Sequence, residues 1–315
     1  MVRAEWTETD WSTHQKWVWV DGRPANVIEL GDGPPLVFVH GLSGSWQNWL
    51  EQLPVFARTH RVIAMDLPGF GESPMPSEKI TISGYGRWLD SLLSSLGVEG
   101  CTIVGNSMGG FIGAETAIKF PARVERLVLV SAAGLTIEHQ RDDRILRLLE
   151  VTENLAQFSL QHLMARSSAL VRRPRSRRAM LAIVAKDASK LDPRLAAEQI
   201  KGTGKPGFVP ALDALTSYPI RDRLSDIKCP TLIVWGEDDF LVPVKDAYEF
   251  DELIPDSRLI VWEDTGHVSM LERPEEFNAA LRDFLSEQPD TERERVAAAA
   301  SQQSPEPAAV DAEDA

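Results

Sequence analysis

Eight short apolar runs rich in β-branched and aromatic residues recur along the chain, at 17–20, 26–30, 36–40, 61–66, 101–105, 124–131, 231–236 and 258–262. Several are unbroken rather than alternating, the mark of strands covered on both faces. Helical patterns separate many of them. One follows the turn-rich "DLPGFGESPMPSEK" at 82–96, and another at 108–119 stops before Pro121. Strand, helix and strand in alternation imply a parallel sheet. The first two runs are joined by "DGRP", a turn fit for an antiparallel hairpin at the edge. From about 135 to 218 the pattern is helical throughout, with apolar positions such as Ile145, Leu148, Leu149 and Leu155. Both ends of that stretch return to the same sheet, so it reads as a helical lid. The expected division is therefore a core over 1–134 and 223–286, a lid over 135–222 and an acidic tail over 287–315. That tail lacks aromatics and is rich in Ala, Pro and Gln, a composition that cannot offset the entropy of ordering.

Composition narrows the partners. With 43% apolar residues a sizeable core can be filled, and a formal charge of −14 repels the phosphates of a nucleic acid. No apolar run reaches bilayer length, and residues 1–19 are charged and tryptophan-rich where a signal peptide carries an apolar segment. The expectation is a cytoplasmic protein. Its two cysteines, Cys101 and Cys229, each stand next to the start of a strand; in the fold argued below those strands are parallel but not neighbours, about two strand spacings or roughly 10 Å apart. That is beyond the reach of a disulfide, so buried free thiols are expected. No metal site is expected from two cysteines without a nearby histidine.

"CTIVGNSMGG" places Ser107 between glycines at the end of a strand and the start of a helix. The segment Gly105-Asn106-Ser107-Met108-Gly109 fits G-x-S-x-G, in which a strained turn projects the serine hydroxyl outward. A helix N-terminus behind it favours an anion developing beside the serine. A plain glycine turn would show the same five letters, so other residues must decide.

Serine needs a base, and of six histidines His267 stands in the loop after the last strand, at the functional edge of a parallel sheet. The base must be oriented by a carboxylate. "LIVWGEDDFLVP" offers Glu237, Asp238 and Asp239 just past another strand, whereas "LVSAAG" after the preceding strand has none. An oxyanion needs two preorganised donors. The amide of Met108 follows the nucleophile, and Leu42 in "HGLSGSW" offers the second. His40 and Asp66 read as structural residues of their loops.

Together "HGLSGSW", "DLPGFGES", "GNSMGG", "WGEDDFLVP" and "GHVSMLERPEEF" resemble, in order, the landmarks of the α/β-hydrolase superfamily over about residues 17–285 apart from the lid. The resemblance implies an eight-stranded, mostly parallel sheet flanked by helices, a lid inserted before the seventh strand, and no cofactor. It selects Asp239 as the acid of a Ser107, Asp239, His267 triad. A serine at the elbow separates the chain from haloalkane dehalogenases and epoxide hydrolases. "GNSMGG" is similar to the meta-cleavage-product hydrolases, which split carbon–carbon bonds. Val268, where those enzymes place tryptophan, and the single-glycine oxyanion loop resemble esterases instead. A carboxylic-ester hydrolase acting on a small apolar ester or acyl substrate is thus the first expectation. A carbon–carbon hydrolase and a non-catalytic ligand receptor are the alternatives, and acyl transfer or perhydrolysis remains open. In the lid, Phe158, Leu163 and Met164 are candidates to line an acyl pocket. Residues 136–223 carry 16 Lys and Arg against 10 Asp and Glu, most densely in "RRPRSRR". A guanidinium fork for a substrate carboxylate and a solvated helix face both fit that run, and the solvated face is favoured.

Overall fold

A computed structural model of the chain describes residues 4–136 and 170–287. All eight runs enter one sheet: β1 Gln15–Val20, β2 Arg23–Leu30, β3 Pro35–Val39, β4 Arg61–Met65, β5 Cys101–Asn106, β6 Val124–Val130, β7 Thr231–Gly236 and β8 Ser257–Trp262. Their spatial order is β1-β2-β4-β3-β5-β6-β7-β8. β1 pairs antiparallel with β2, and β2 antiparallel with β4. The remaining pairs are parallel. The hairpin forms at Asp21 and Gly22, both at positive φ (49° and 76°), as a tight turn matched to strand twist requires.

Unbroken apolar runs became central strands. Every residue of β5 and β7 is buried, whereas the edge strand β8 is mostly half-buried. Of the helices, α1 is Leu53–Phe56, α2 Ile82–Ser95 and α3 Met108–Lys119. Thr81 caps α2 by accepting the Gly84 amide at 2.9 Å, and Ile82, Tyr85, Leu89, Leu92 and Leu93 form its buried face. α3 is buried over ten of its twelve residues, which is why its pattern is apolar all round rather than amphipathic.

Between β6 and β7 the described residues form α4 Pro174–Met180, α5 Pro193–Lys201 and α6 Phe208–Ser217, with no strand among them. α4 and α5 begin with proline, whose missing N–H costs nothing in a first turn. After β7 come α7 Lys245–Leu253, α8 Ser269–Glu272 and α9 Pro274–Ser286. By its contacts the chain divides into residues 1–278, which contain the sheet, and 279–315, whose described part is the end of α9. Phe158, Leu163, Met164 and the expected acidic tail from 288 onward lie outside the described residues.

Cys101 opens β5 and Cys229 precedes β7, with β6 between them. Both are free and buried, and burial pushes both thiols up to about 12. No helix among the described residues is long and apolar enough to cross a membrane.

Candidate active site

The parallel register sets the carboxyl ends of five strands side by side. Val39 of β3 pairs with Gly105 of β5, Asn106 with Val130 of β6, Val130 with Val234 of β7, and Gly236 with Trp262 of β8. The loops that leave these ends carry Leu42, Ser107, Asp239 and His267. The strand order turns back between β3 and β5, where open parallel sheets place their ligand sites.

Ser107 follows the last residue of β5 and stands at the N-terminus of α3 with φ 55° and ψ −117°. That conformation is strained for any residue with a Cβ, and it is held by three backbone bonds: Ser107 N–H donates to Val130 O at 2.9 Å, and Ser107 O accepts from Phe111 N–H and Ala133 N–H, each at 3.1 Å. Close packing explains the neighbouring glycines. A Cβ on Gly109 would lie 2.1 Å from Val39 O, and one on Gly41 would lie 3.0 Å from the Ser107 Cβ. The β3 loop therefore rests directly against the elbow.

Asp239 and His267 meet. The His267 Nδ1 lies 2.8 Å from Asp239 Oδ2, and neither side chain is more than 5% exposed. The other Asp239 oxygen, Oδ1, accepts the amides of Leu241 and Val242, each at 2.9 Å. With both oxygens occupied the carboxylate is fixed, and the imidazole presents Nδ1–H to it, leaving Nε2 as the lone-pair nitrogen. Of the alternative acids, Asp238 instead pairs with Lys186 at 2.6 Å, and that contact raises the lysine's affinity for its proton. The end of β6 offers only Ser131.

His267 is joined to the elbow through its neighbour: Asn106 Nδ2 donates to Val130 O at 3.0 Å and to His267 O at 3.3 Å. The Ser107 hydroxyl has no hydrogen bond among the described residues. The amides of Leu42 and Met108 are likewise not engaged by any described residue. Met108 is the first residue of α3, where an N–H has no partner within the helix. The site thus joins an acid and a base at one end of the sheet, with a strained serine and two open amides at the same edge.

His40 is a structural residue. Its Nδ1 lies 2.7 Å from Gly41 O and its Nε2 accepts the Leu67 amide at 3.0 Å, which uses both nitrogens. Burial lowers its basicity. Asp66 is structural too, accepting from Asn26, Trp46 and Glu72 at 2.8–2.9 Å. Within the basic run, Arg177 turns inward and donates to the carbonyls of Val171, Ala188 and Ser189. Two residues to which the sequence assigned no role tie the loops of the site together, Asn106 and Glu272, and a third, Gln199, bonds near the β3 loop. Gln199 of α5 accepts from Asn48 Nδ2 at 2.6 Å beside the β3 loop. Glu272 accepts the amides of Gly266 at 2.9 Å and Lys186 at 2.8 Å, and burial raises its pKa. Among the described residues no cluster of three or more His, Cys, Asp and Glu could hold a metal ion.

A family profile described as alpha/beta hydrolase fold matches residues 34–274. The 2-hydroxy-6-oxo-6-(2'-aminophenyl)hexa-2,4-dienoic acid hydrolase of Metapseudomonas resinovorans is 29% identical over 292 residues, covering 89% of this chain and 93% of that one. The 2-hydroxy-6-oxo-2,4-heptadienoate hydrolase of Pseudomonas putida is 31% identical over 84% of this chain and 94% of its own. Among solved structures, Est816, described as an N-acyl homoserine lactone degrading enzyme, superposes with a TM-score of 0.67 at 27% identity, over 85% of this chain and 100% of that one. With its eight-stranded, mostly parallel sheet flanked by helices, this chain belongs to the α/β-hydrolase fold family.

Proposed function

We propose that this hydrolase cleaves a bond to a carbonyl carbon through a Ser107, His267, Asp239 triad. The observation that carries the reading is the 2.8 Å contact between His267 and a fully buried Asp239, at the same sheet edge as the strained Ser107. His267 Nε2 takes the Ser107 proton as the serine oxygen bonds to the carbonyl carbon. The amides of Leu42 and Met108 stabilise the oxyanion. As the scissile bond breaks, its electron pair leaves on the ester oxygen or, in a vinylogous diketo acid that has first ketonised, delocalises into the 2-oxo acid as a dienolate; that leaving group takes the proton from His267 and the acyl group stays on Ser107. Water then repeats the sequence, giving a proton to His267 and releasing a carboxylic acid. Asp239 keeps the imidazole in the Nδ1–H tautomer and stabilises its charged form. No step uses a cofactor. In this reading the helices between β6 and β7 belong to a lid, a reading supported by the bonds that Val184 O of that insertion accepts from the His267 and Val268 amides.

For the bond cleaved, carbon–carbon hydrolysis of a vinylogous diketo acid stands first, because the two relatives above are named for dienoic acid substrates over most of their length. Ester hydrolysis is the second reading. It is favoured by Val268 after the histidine and by the lactone-degrading structural neighbour, a lactone being a cyclic ester. One assay separates them. A 6-aryl-2-hydroxy-6-oxohexa-2,4-dienoate, followed by loss of its visible absorbance, is compared with p-nitrophenyl butyrate. A kcat/KM at least tenfold higher for the dienoate, abolished in Ser107→Ala, supports the first reading, and the reverse ratio supports the second. Turnover that persists in Ser107→Ala overturns both.

A further inference from the structure

The loop that carries His267 is held from the inserted segment as well as from the sheet. Val184 O accepts the His267 amide at 3.0 Å and the Val268 amide at 3.2 Å. The Glu272 carboxylate completes the junction. Oε1 reaches back to the Gly266 amide, one residue before the histidine, and Oε2 takes the amide of Lys186, two residues after Val184. Four backbone N–H groups thus end on one carbonyl and one carboxylate. Glu272 lies on α8, which starts two residues after His267, so its side chain closes the loop upon itself while gripping the insertion. These bonds hold backbone; the imidazole's own partner is Asp239.

We propose that Glu272 is a positioning residue for His267, locking the Val184–Lys186 segment of the insertion to the histidine loop so that the imidazole keeps its place between Asp239 and the elbow. The role needs a carboxylate. Two N–H donors converge on it from different segments, and a carboxamide at this position has one accepting oxygen for the two. The other arm of Gln is itself a donor and faces an N–H. Charge-assisted bonds of this kind are about twice as strong as neutral ones, and small displacements of a catalytic group cost about 100-fold in rate. Loss of the clamp therefore reaches the chemical step through His267 without touching a substrate.

The inference rests on the triad reading, and its test is chosen so that the two fail differently. Inactivation by a fluorophosphonate probe is measured for wild type, Glu272→Gln, Glu272→Ala and the neighbouring control Glu275→Gln, with Ser107→Ala as the blank. Proton NMR follows the low-field Nδ1–H resonance of the His267–Asp239 bond. Expected are a maximal inactivation rate about tenfold lower in Glu272→Gln and about 100-fold lower in Glu272→Ala, with the probe's half-saturating concentration within about twofold. The low-field resonance broadens or disappears in Glu272→Ala and persists in Glu275→Gln. Glu272→Gln keeps the shape of the side chain and serves where the alanine variant folds poorly. Inactivation at the wild-type rate in folded Glu272→Gln, with the resonance unchanged, overturns the positioning role while leaving the triad intact. Labelling that persists in Ser107→Ala overturns the triad reading itself.

Discussion

Replacing Asp239 by asparagine exchanges one oxygen for an amide and leaves the shape unchanged, and the surroundings decide which way the new group points. Oδ1 of Asp239 accepts two amides, from Leu241 and Val242, while Oδ2 faces His267 Nδ1. In one orientation the asparagine oxygen keeps both amides, and its NH2 confronts Nδ1. The imidazole must then carry its proton on Nε2 and cannot accept one from Ser107. In the flipped orientation the histidine is served correctly, but two N–H groups face a donor. Each unsatisfied buried donor costs about 1–3 kcal/mol, so the flipped form is disfavoured by about 2–6 kcal/mol. At 1.36 kcal/mol per decade, the competent orientation is populated about 30-fold to 3 × 10⁴-fold less. A loss of about 10⁴-fold is known for the same exchange in a serine protease triad. Stability changes little, because the favoured orientation keeps both amide bonds. The assay is the maximal rate of fluorophosphonate inactivation, with the melting temperature measured beside it. Asp238→Asn removes only the exposed pair with Lys186 and stays within about threefold of wild type. An Asp239→Asn variant within threefold of wild type, or an equal loss in Asp238→Asn, refutes the reasoning.

Four further outcomes are expected. Gly109→Ala drives a Cβ to 2.1 Å from Val39 O and loses about 3 kcal/mol, read as a fall in melting temperature of roughly 6–12 °C. Gly41→Ala, whose Cβ meets the Ser107 Cβ at 3.0 Å, melts closer to wild type yet inactivates with the probe more than about tenfold slower; equal inactivation rates would separate that loop from the site. Burial holds His40 neutral, so its folded pKa lies below the unfolded value of about 6.5. The unfolded chain then binds the extra proton as pH falls through that value, and this residue's contribution to stability is lost toward acid. Urea midpoints from pH 7.5 to 5.5 should accordingly fall less steeply in His40→Asn than in wild type, and an unchanged slope would contradict the assignment. Cys101 and Cys229, with thiols pushed up to about 12, resist iodoacetamide at pH 8 in the folded protein and react after unfolding, as mass spectrometry of the intact chain will show.

The sheet was legible because its central strands are covered on both faces. Residues such as Ile103, Val104 and Ile233, Val234 must be apolar without alternation, and their β-branched side chains in runs of about six set them apart from a buried helix such as α3. The elbow was legible for a different reason: close backbone approach excludes every side chain at Gly109, so the pattern records geometry directly. Which carboxylate meets His267 was not legible from charge alone, since Glu237, Asp238 and Asp239 look alike until the Leu241 and Val242 amides fix Asp239 beside it. Glu272 lay inside the landmark "GHVSMLERPEEF", yet its role and that of Val184 were unmarked for a further reason. Their partners are backbone N–H groups, which every residue supplies, so no residue type marks the junction. Arg177 likewise gave no sign of turning inward, because the three carbonyls it meets belong to backbone brought together only by folding.

In the proposed mechanism Ser107 is the nucleophile, activated by His267 and Asp239. Peptide mapping of the protein after reaction with one equivalent of fluorophosphonate tests this most directly. A single adduct on Ser107, formed at a rate that falls by orders of magnitude in His267→Ala, is the predicted result. An adduct on any other serine, or one on Ser107 that forms equally fast without the histidine, would contradict it.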